Sequence, residues 1–343
     1  MVSKAFKLAT IAKSTSTDGI IEGDAAPKIL ATYTSINLLP LSGNQSGDMA
    51  YIDSSNKLYI YTGDGWYSLT LIEVPPIPLQ FDALIVAGGG AGGSRGNGGG
   101  GGAGGMVTLT NYNRDSDIYS ITVGDGGTYN SDYASPPSIA ENGGNSLAFG
   151  QTAVGGGSGA DFNAYNYLPG PGQVGGSGGG GSGTYSPRAG TSGGAGTSGQ
   201  GNAGGDGFPW LSGTGYRAGS GGGAGTAGSS GGNGGDGLQW LDGNYYAGGG
   251  GAGVIYEGGS GQNLGGLGGG GDASCTNPSL PATDGATNTG GGGGGGGAAG
   301  GSGIVAIRYF SNEADPSFSG TYNITDDGTY KYFYCLSSGI LSW

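Results

Sequence analysis

The chain has 343 residues, 90 of them glycine, with 11 basic against 24 acidic side chains and a net charge of −13. Glycine so far above its usual share of about 7% excludes an ordinary side-chain core over most of the length, and 14 prolines without a Gly-X-Y period exclude collagen. The acidic balance argues against nucleic acid as a partner, and no apolar run approaches the roughly 18 residues of a membrane span.

Residues 1–78 have near-normal composition. KAFKLATIA (4–12) predicts a short helix with Phe6, Leu8, Ile11 and Ala12 near one face. Its apolar stretch, LATIA, is too short for a signal-peptide core. GDMAYIDSSNKLYIYTGDGWYSLTLI (47–72) predicts three strands joined by turns at DSSNK and TGDGW. Tyr51, Leu58, Ile60, Trp66, Leu69 and Leu71 are its expected core, and VPPIPLQ (74–80) reads as a stiff, extended linker.

FDALIVA (81–87) predicts a strand that runs into Gly88, Gly90 and Gly93, the spacing of a dinucleotide-binding turn. That turn must open a helix. Here Asn97 is followed by five glycines, each costing a helix about 1 kcal/mol relative to alanine, so the nucleotide reading fails. GMVTLT (105–110) and IYSITVG (118–124) read as a β-pair, and NSLAFG (145–150) as a further strand.

Of the 90 glycines, 81 lie in residues 88–303. From residue 155 onward, glycine runs alternate with short inserts that carry nearly all the aromatic residues. Two inserts form an internal repeat: GGDGFPWLSGTGYRAGSGGGAG from Gly204 and GGDGLQWLDGNYYAGGGGAG from Gly234, with Trp210 and Trp240 at matching places 30 residues apart. A repeated unit predicts repeated geometry. Residues 304–343 return to alternating apolar and polar positions around turns such as DDG, a β-rich closing segment.

Glycine runs can order without side chains as extended helices of three residues per turn and about 3.1 Å rise. Such a helix has no internal hydrogen bonds, so its amides and carbonyls must bond to neighbouring helices. Runs of nine to twelve residues spanning roughly 30 Å are expected, with the inserts turning the chain at the ends and Ala, Ser and Asn kept to the outer faces. The fold class is therefore mostly β and irregular with almost no α-helix: an N-terminal β module (1–78), a glycine-rich domain (79–303) and a C-terminal β segment (304–343). Within the glycine-rich domain, residues 81–154 read as a β-rich entry and 155–303 as a polyglycine-II bundle.

There is no histidine, which removes Ser-His-Asp and Cys-His catalysis and the usual zinc sets. Glu141, Asp161, Asp206, Asp236 and Glu257 are scattered among turns, so no enzyme activity and no cofactor are expected. GGNGGDGLQ (231–239) matches the nonapeptide of calcium β-rolls, but those rolls stack it in tandem so that adjacent turns share each ion. One isolated copy predicts a turn role for Asp206 and Asp236 and no metal. Cys275 and Cys335 could in principle pair, yet two cysteines make no disulfide framework, and they read as free thiols. Tyr165, Tyr167, Tyr185, Tyr216, Tyr245 and Tyr246, with Arg188 and Arg217, put amphipathic rings and donors on the inserts. Tyrosine-rich loops on a rigid scaffold suit recognition of a macromolecular surface. Trp210 and Trp240, fixed in the repeat, are expected to pack.

The order FDALIVAGGGAGG, GGGGGAGGMVTLT, YSITVGDGG, NGGNSLAFG, AVGGGSG and GGGGGAAGGSGIVAIRY resembles the glycine-rich domain of bacteriophage tail-fibre and adhesin proteins. Residues 47–72 are similar to N-terminal modules of virion structural proteins of marine phages, cyanophages in particular. The resemblance implies a virion protein, made in the host bacterial cytoplasm and placed on the tail or particle surface. Its N-terminal module would bind other virion proteins, and its loops a host cell-surface protein or glycan. It carries no membrane insertion; a trimer, usual for tail fibres, and a monomer both stay open. A virion fibre or decoration protein without a receptor role is the alternative, and an ice-binding protein the remote one, for which the GAGT copies at 194–197 and 223–226 are too few.

Overall fold

The computed structural model describes residues 31–69, 80–94, 97–129, 140–161, 170–184, 189–211, 215–255, 261–276 and 279–343. The chain divides into two compact units, 1–77 and 78–343. The helix expected at 4–12 lies outside the described residues. The structure is mostly β and irregular; the one helix among the described residues is a single 3-10 turn, Ile36–Leu38.

In the first unit, strands Ala31–Tyr33, Met49–Ile52, Lys57–Tyr61 and Trp66–Leu69 form one sheet in chain order. The turns are those the sequence marks, with Asn56 at φ 52° and Gly63 at φ 102°. The core agrees with expectation in part: Trp66 packs against it, and Tyr51 and Leu58 are buried on the other face. It is built from Leu39, Ala50, Ile52 and Tyr59, with Tyr33 and Trp66 against it. Side chains alternate along a strand, so the expected Tyr51, Leu58 and Ile60 belong to the opposite face, although Tyr51 and Leu58 are also buried. Both faces being apolar, alternation alone could not choose between them.

In the second unit, a five-stranded sheet runs in the order Tyr322–Asp326, Tyr330–Cys335, Ile304–Phe310, Gln80–Val86, Met106–Asn113. Ile304–Phe310 and Gln80–Val86 carry the apolar runs Ile304–Ile307 and Ala83–Val86 because both faces are covered. Phe81, Ala83, Ile85, Val305, Ile307, Tyr309 and Phe333 face a second sheet made of Ser317–Phe318, Gly339–Ser342 and Ile118–Ile121. Leu84, Val86, Ile304, Ala306 and Tyr332 face the other way, onto Trp240, Tyr246, Ala103 and Met106. The pair expected between 105–110 and 118–124 does not form: Met106–Asn113 pairs with Gln80–Val86, and Ile118–Ile121 with Gly339–Ser342. Residues 304–343, read from the sequence as a β-rich closing segment, supply strands to both of the sheets just described.

Beneath these sheets lies a lattice of glycine segments. Segment 98–105 is at its centre. The amides of Gly99 and Gly102 donate to the carbonyls of Ala160 and Gly157, those of Gly100 and Ala103 to Gly219 and Gly222, and those of Gly101 and Gly104 to Gly293 and Gly290. Three successive amides thus address three different neighbours, and the pattern repeats after three residues, the polyglycine-II period. The carbonyls of 99 and 102 accept from Gly93 and Gly90, those of 100 and 103 from Gly180 and Ser177, and that of 101 from Gly250. Six segments therefore surround this one: 157–160, 219–222, 290–293, 90–93, 177–180 and 247–250. None of the glycines in segment 98–105 has a positive φ.

Glycine is required here by close approach. An added Cβ at Gly99 would meet the Gly180 oxygen at 2.0 Å, and at Gly102 the Ser177 oxygen at 2.3 Å. Three expectations are corrected. The lattice already begins at residue 87, inside the stretch read as β-rich entry, and its passes of about seven residues span roughly 20 Å rather than 30. Small side chains also enter the interior: Ala91, Ala103, Ser182 and Ser220 are fully buried. They are accommodated locally. Ala103 meets the apolar cluster under the sheet, and the Ser182 hydroxyl donates to the Asn97 carbonyl.

Candidate functional site

The hydrogen-bond register fixes which turns share an end of the lattice. Call the end beneath the five-stranded sheet the near end. Segment 88–93 leads away from it and 99–104 returns, so Ser94 and Asn97 are at the far end. Segments 155–160 and 177–183 also descend, and 190–196 and 218–224 ascend. Asp161, Gly170, Thr184 and Ala189 accordingly lie at the far end, as does the small sheet Phe208–Leu211, Gly215–Arg217, Val254–Ile255, Cys275–Thr276, Ser279–Leu280. That sheet buries Val254 and Cys275 against the lattice.

Asp161 holds this end together. One carboxylate oxygen accepts from the Ser94 amide at 2.8 Å and the other from the Ala140 amide at 3.1 Å. Turns distant in sequence are thereby fixed to one another by charge-assisted bonds. Beside it is an open recess of about 460 Å³ bordered by Glu141, Asn142, Asp161, Pro171 and Gln173.

The sequence-marked residues do not all share this end. Tyr165, Tyr167, Tyr185 and Arg188 lie outside the described residues; the positions that bracket them, 161 with 170 and 184 with 189, are at the far end. Tyr216 and Arg217 are in a far-end strand paired with Val254–Ile255, and Arg217 is half-buried. Trp210 is in the strand of the same hairpin. Tyr245 and Tyr246 are at the near end. Tyr245 is exposed, but Tyr246 is 5% exposed, so its ring is not available to a partner. Its hydroxyl donates to Asp242 at 2.7 Å, as the Tyr334 hydroxyl does at 3.1 Å. Burial first, then the Asp242 carboxylate, raises the Tyr246 pKa far above the ordinary tyrosine range. Trp240 is buried, its ring 6.0 Å from Tyr332 and edge-on to it, and the Tyr332 hydroxyl donates to the Leu241 carbonyl.

The two repeat copies thus differ in place and in pairing. The first belongs to a five-stranded far-end sheet, the second is a two-stranded hairpin, Leu238–Gln239 with Tyr245–Tyr246, clamped under the large sheet. The expectation of repeated geometry fails because three passes, 218–224, 226–230 and 233–237, separate them.

Sequence reading missed the use of polar residues around the lattice. Asp206 and Asp236 each accept one backbone amide from a neighbouring segment, Gly193 at 2.9 Å and Leu267 at 2.8 Å. That accounts for the acidic residue in each GGDG without a cation, and among the described residues no group of His, Cys, Asp and Glu could hold a metal ion. Cys275 and Cys335 are not joined in a disulfide, and both are buried, at opposite ends of the lattice. No helix among the described residues is long and apolar enough to cross a membrane.

A glycine-rich domain family matches residues 64–310, well over half of the chain. The chain belongs to this glycine-rich domain family. No curated protein and no solved structure matches it.

Proposed function

We propose that the protein is a phage virion fibre or adhesin subunit: an N-terminal attachment unit, then a polyglycine platform whose far-end turns contact the host surface. The observation that carries this reading is the two-ended lattice. Two sheets and the hairpin Leu238–Gln239 with Tyr245–Tyr246 sit at its near end, whereas its far end brings Ser94, Ala140, Asp161 and Thr184, from widely separated parts of the chain, onto one rigid base. A slab bonded through its backbone in six directions positions loops with little freedom to lose on binding, which favours affinity. The stretches 162–169 and 185–188, rich in tyrosine and bracketed at that end, are the proposed contacts, together with Tyr216 and Arg217. Tyr245, at the other end, falls outside this set. The platform works without catalysis or cofactor.

Replacing Tyr165, Tyr167, Tyr185 and Arg188 together with alanine should abolish adsorption to host cells while particles still assemble with the normal amount of this protein. Particles that assemble and adsorb normally would leave the rival reading, a fibre or decoration subunit without receptor contact. Immunogold labelling at the tail tip, as against capsid or shaft, separates the same two readings.

A further inference from the structure

The perimeter of a glycine lattice is an open edge: an outer segment presents amides and carbonyls with no glycine neighbour to take them. Exposed β-sheet edges with the same property recruit another chain unless they are blocked. Here six of the perimeter amides are taken by Asp and Thr side chains. Asp206, Asp236, Asp272 and Asp284 accept from the amides of Gly193, Leu267, Gly265 and Ala299, at 2.9, 2.8, 2.9 and 2.8 Å. Thr226 and Thr283 do the same for the amides of Asp236 and Asp272, at 2.8 and 2.7 Å. These residues sit on the outer segments 201–207, 226–230, 233–237, 270–274 and 283–286, Asp206 towards the far end and Thr226 and Asp236 towards the near end.

We propose that these side-chain acceptors close the stretches of flank they cover against a second copy of the chain, so that any homo-oligomer is built elsewhere on the molecule. Two physical effects act together. Each carboxylate stands where the carbonyl of an added segment would lie, fulfilling the amide and occupying its place. The negative charges also line the flank, so that two copies approaching side by side meet like charge. The inference does not depend on host attachment.

The test uses the full-length chain, with amide hydrogen exchange and sedimentation as readouts. In Asp236→Ala and Asp272→Ala, exchange at Leu267 and Gly265 should accelerate at least tenfold, and the double variant should sediment as a concentration-dependent associate. Asp236→Asn and Asp272→Asn, which keep an acceptor oxygen in place, should retain slow exchange and the wild-type mass. If the alanine variants fail to fold, Thr283→Val removes only the hydroxyl that takes the Asp272 amide and is read at that amide and by sedimentation. Alanine variants whose Leu267 and Gly265 amides stay protected, or which open there yet sediment as wild type, would overturn the proposal.

Discussion

At Gly101 an added Cβ would sit 2.1 Å from the Gly90 carbonyl oxygen and 2.8 Å from its carbonyl carbon, both backbone atoms held by their own lattice bonds. Gly170 has nothing within 4 Å of the same position and no positive φ. Gly101→Ala should therefore destabilise the second unit by more than about 4 kcal/mol, and Gly170→Ala by less than about 0.5 kcal/mol, measured by chemical denaturation. Equal effects at the two sites would mean that close approach is not what demands glycine. At this scale the sequence showed where glycine is concentrated but not which glycines are irreplaceable, since that depends on which neighbour faces each residue. Ala103 and Ser182 made the point in reverse: they enter the interior where the next group is a side-chain cluster or a turn. The buried state of Tyr246 was equally hidden, because nothing local distinguishes it from the exposed Tyr245 beside it.

The elements of the near end were largely legible, their partners less so. An apolar run marked a strand at 81–87, strand-like composition another at 105–110, and alternation around turns a β-rich segment over 304–343 without dividing it into strands. Pairing was decided by segments more than two hundred residues away, as when Ile304–Phe310 lies against Gln80–Val86, and periodicity carries no such information. The sheets also bury groups that must stay protonated. Burial pushes the Cys335 thiol up to about 12 from an ordinary 9.0, and the Tyr334 hydroxyl up to about 12. Burial and the Asp315 carboxylate hold the Tyr309 hydroxyl still higher. A raised pKa means that the folded state holds its proton more tightly than the unfolded chain does. The stabilisation is thus complete below pH 9 and is lost as the pH rises through about 12. The urea midpoint should be level from pH 7 to 9 and fall steadily above, and Cys335→Ala should shift the onset of that fall upward. A midpoint flat to pH 11 would contradict the burial of these groups.

For the whole molecule, the family match ends at residue 310, whereas the fold does not. Ile304–Phe310 is flanked on one side by Tyr330–Cys335 through six residue pairs from Val305 to Phe310, and Phe333, Cys335 and Leu341 complete the core. Deleting residues 311–343 should leave the glycine lattice unprotected in amide exchange, although no glycine of the lattice is removed; a truncated chain with native protection at 98–105 would show that the lattice stands alone. Backbone bonds contribute only about 1 kcal/mol each, against a larger ordering cost per residue, so the lattice depends on the apolar sheets at its near end.

The displacement of Trp210 and Trp240 to opposite ends follows from counting crossings. A chain that traverses a slab an odd number of times between two landmarks must leave them on opposite sides, whatever the landmarks are. Loops can lengthen or shorten freely without disturbing that arithmetic, but a single traverse cannot be gained or lost, because every later loop would emerge at the wrong end and the returning strand Ile304–Phe310 could not reach its place. Growth of such a scaffold is restricted to pairs of traverses, and variation between related chains should be confined to loop length or to even steps.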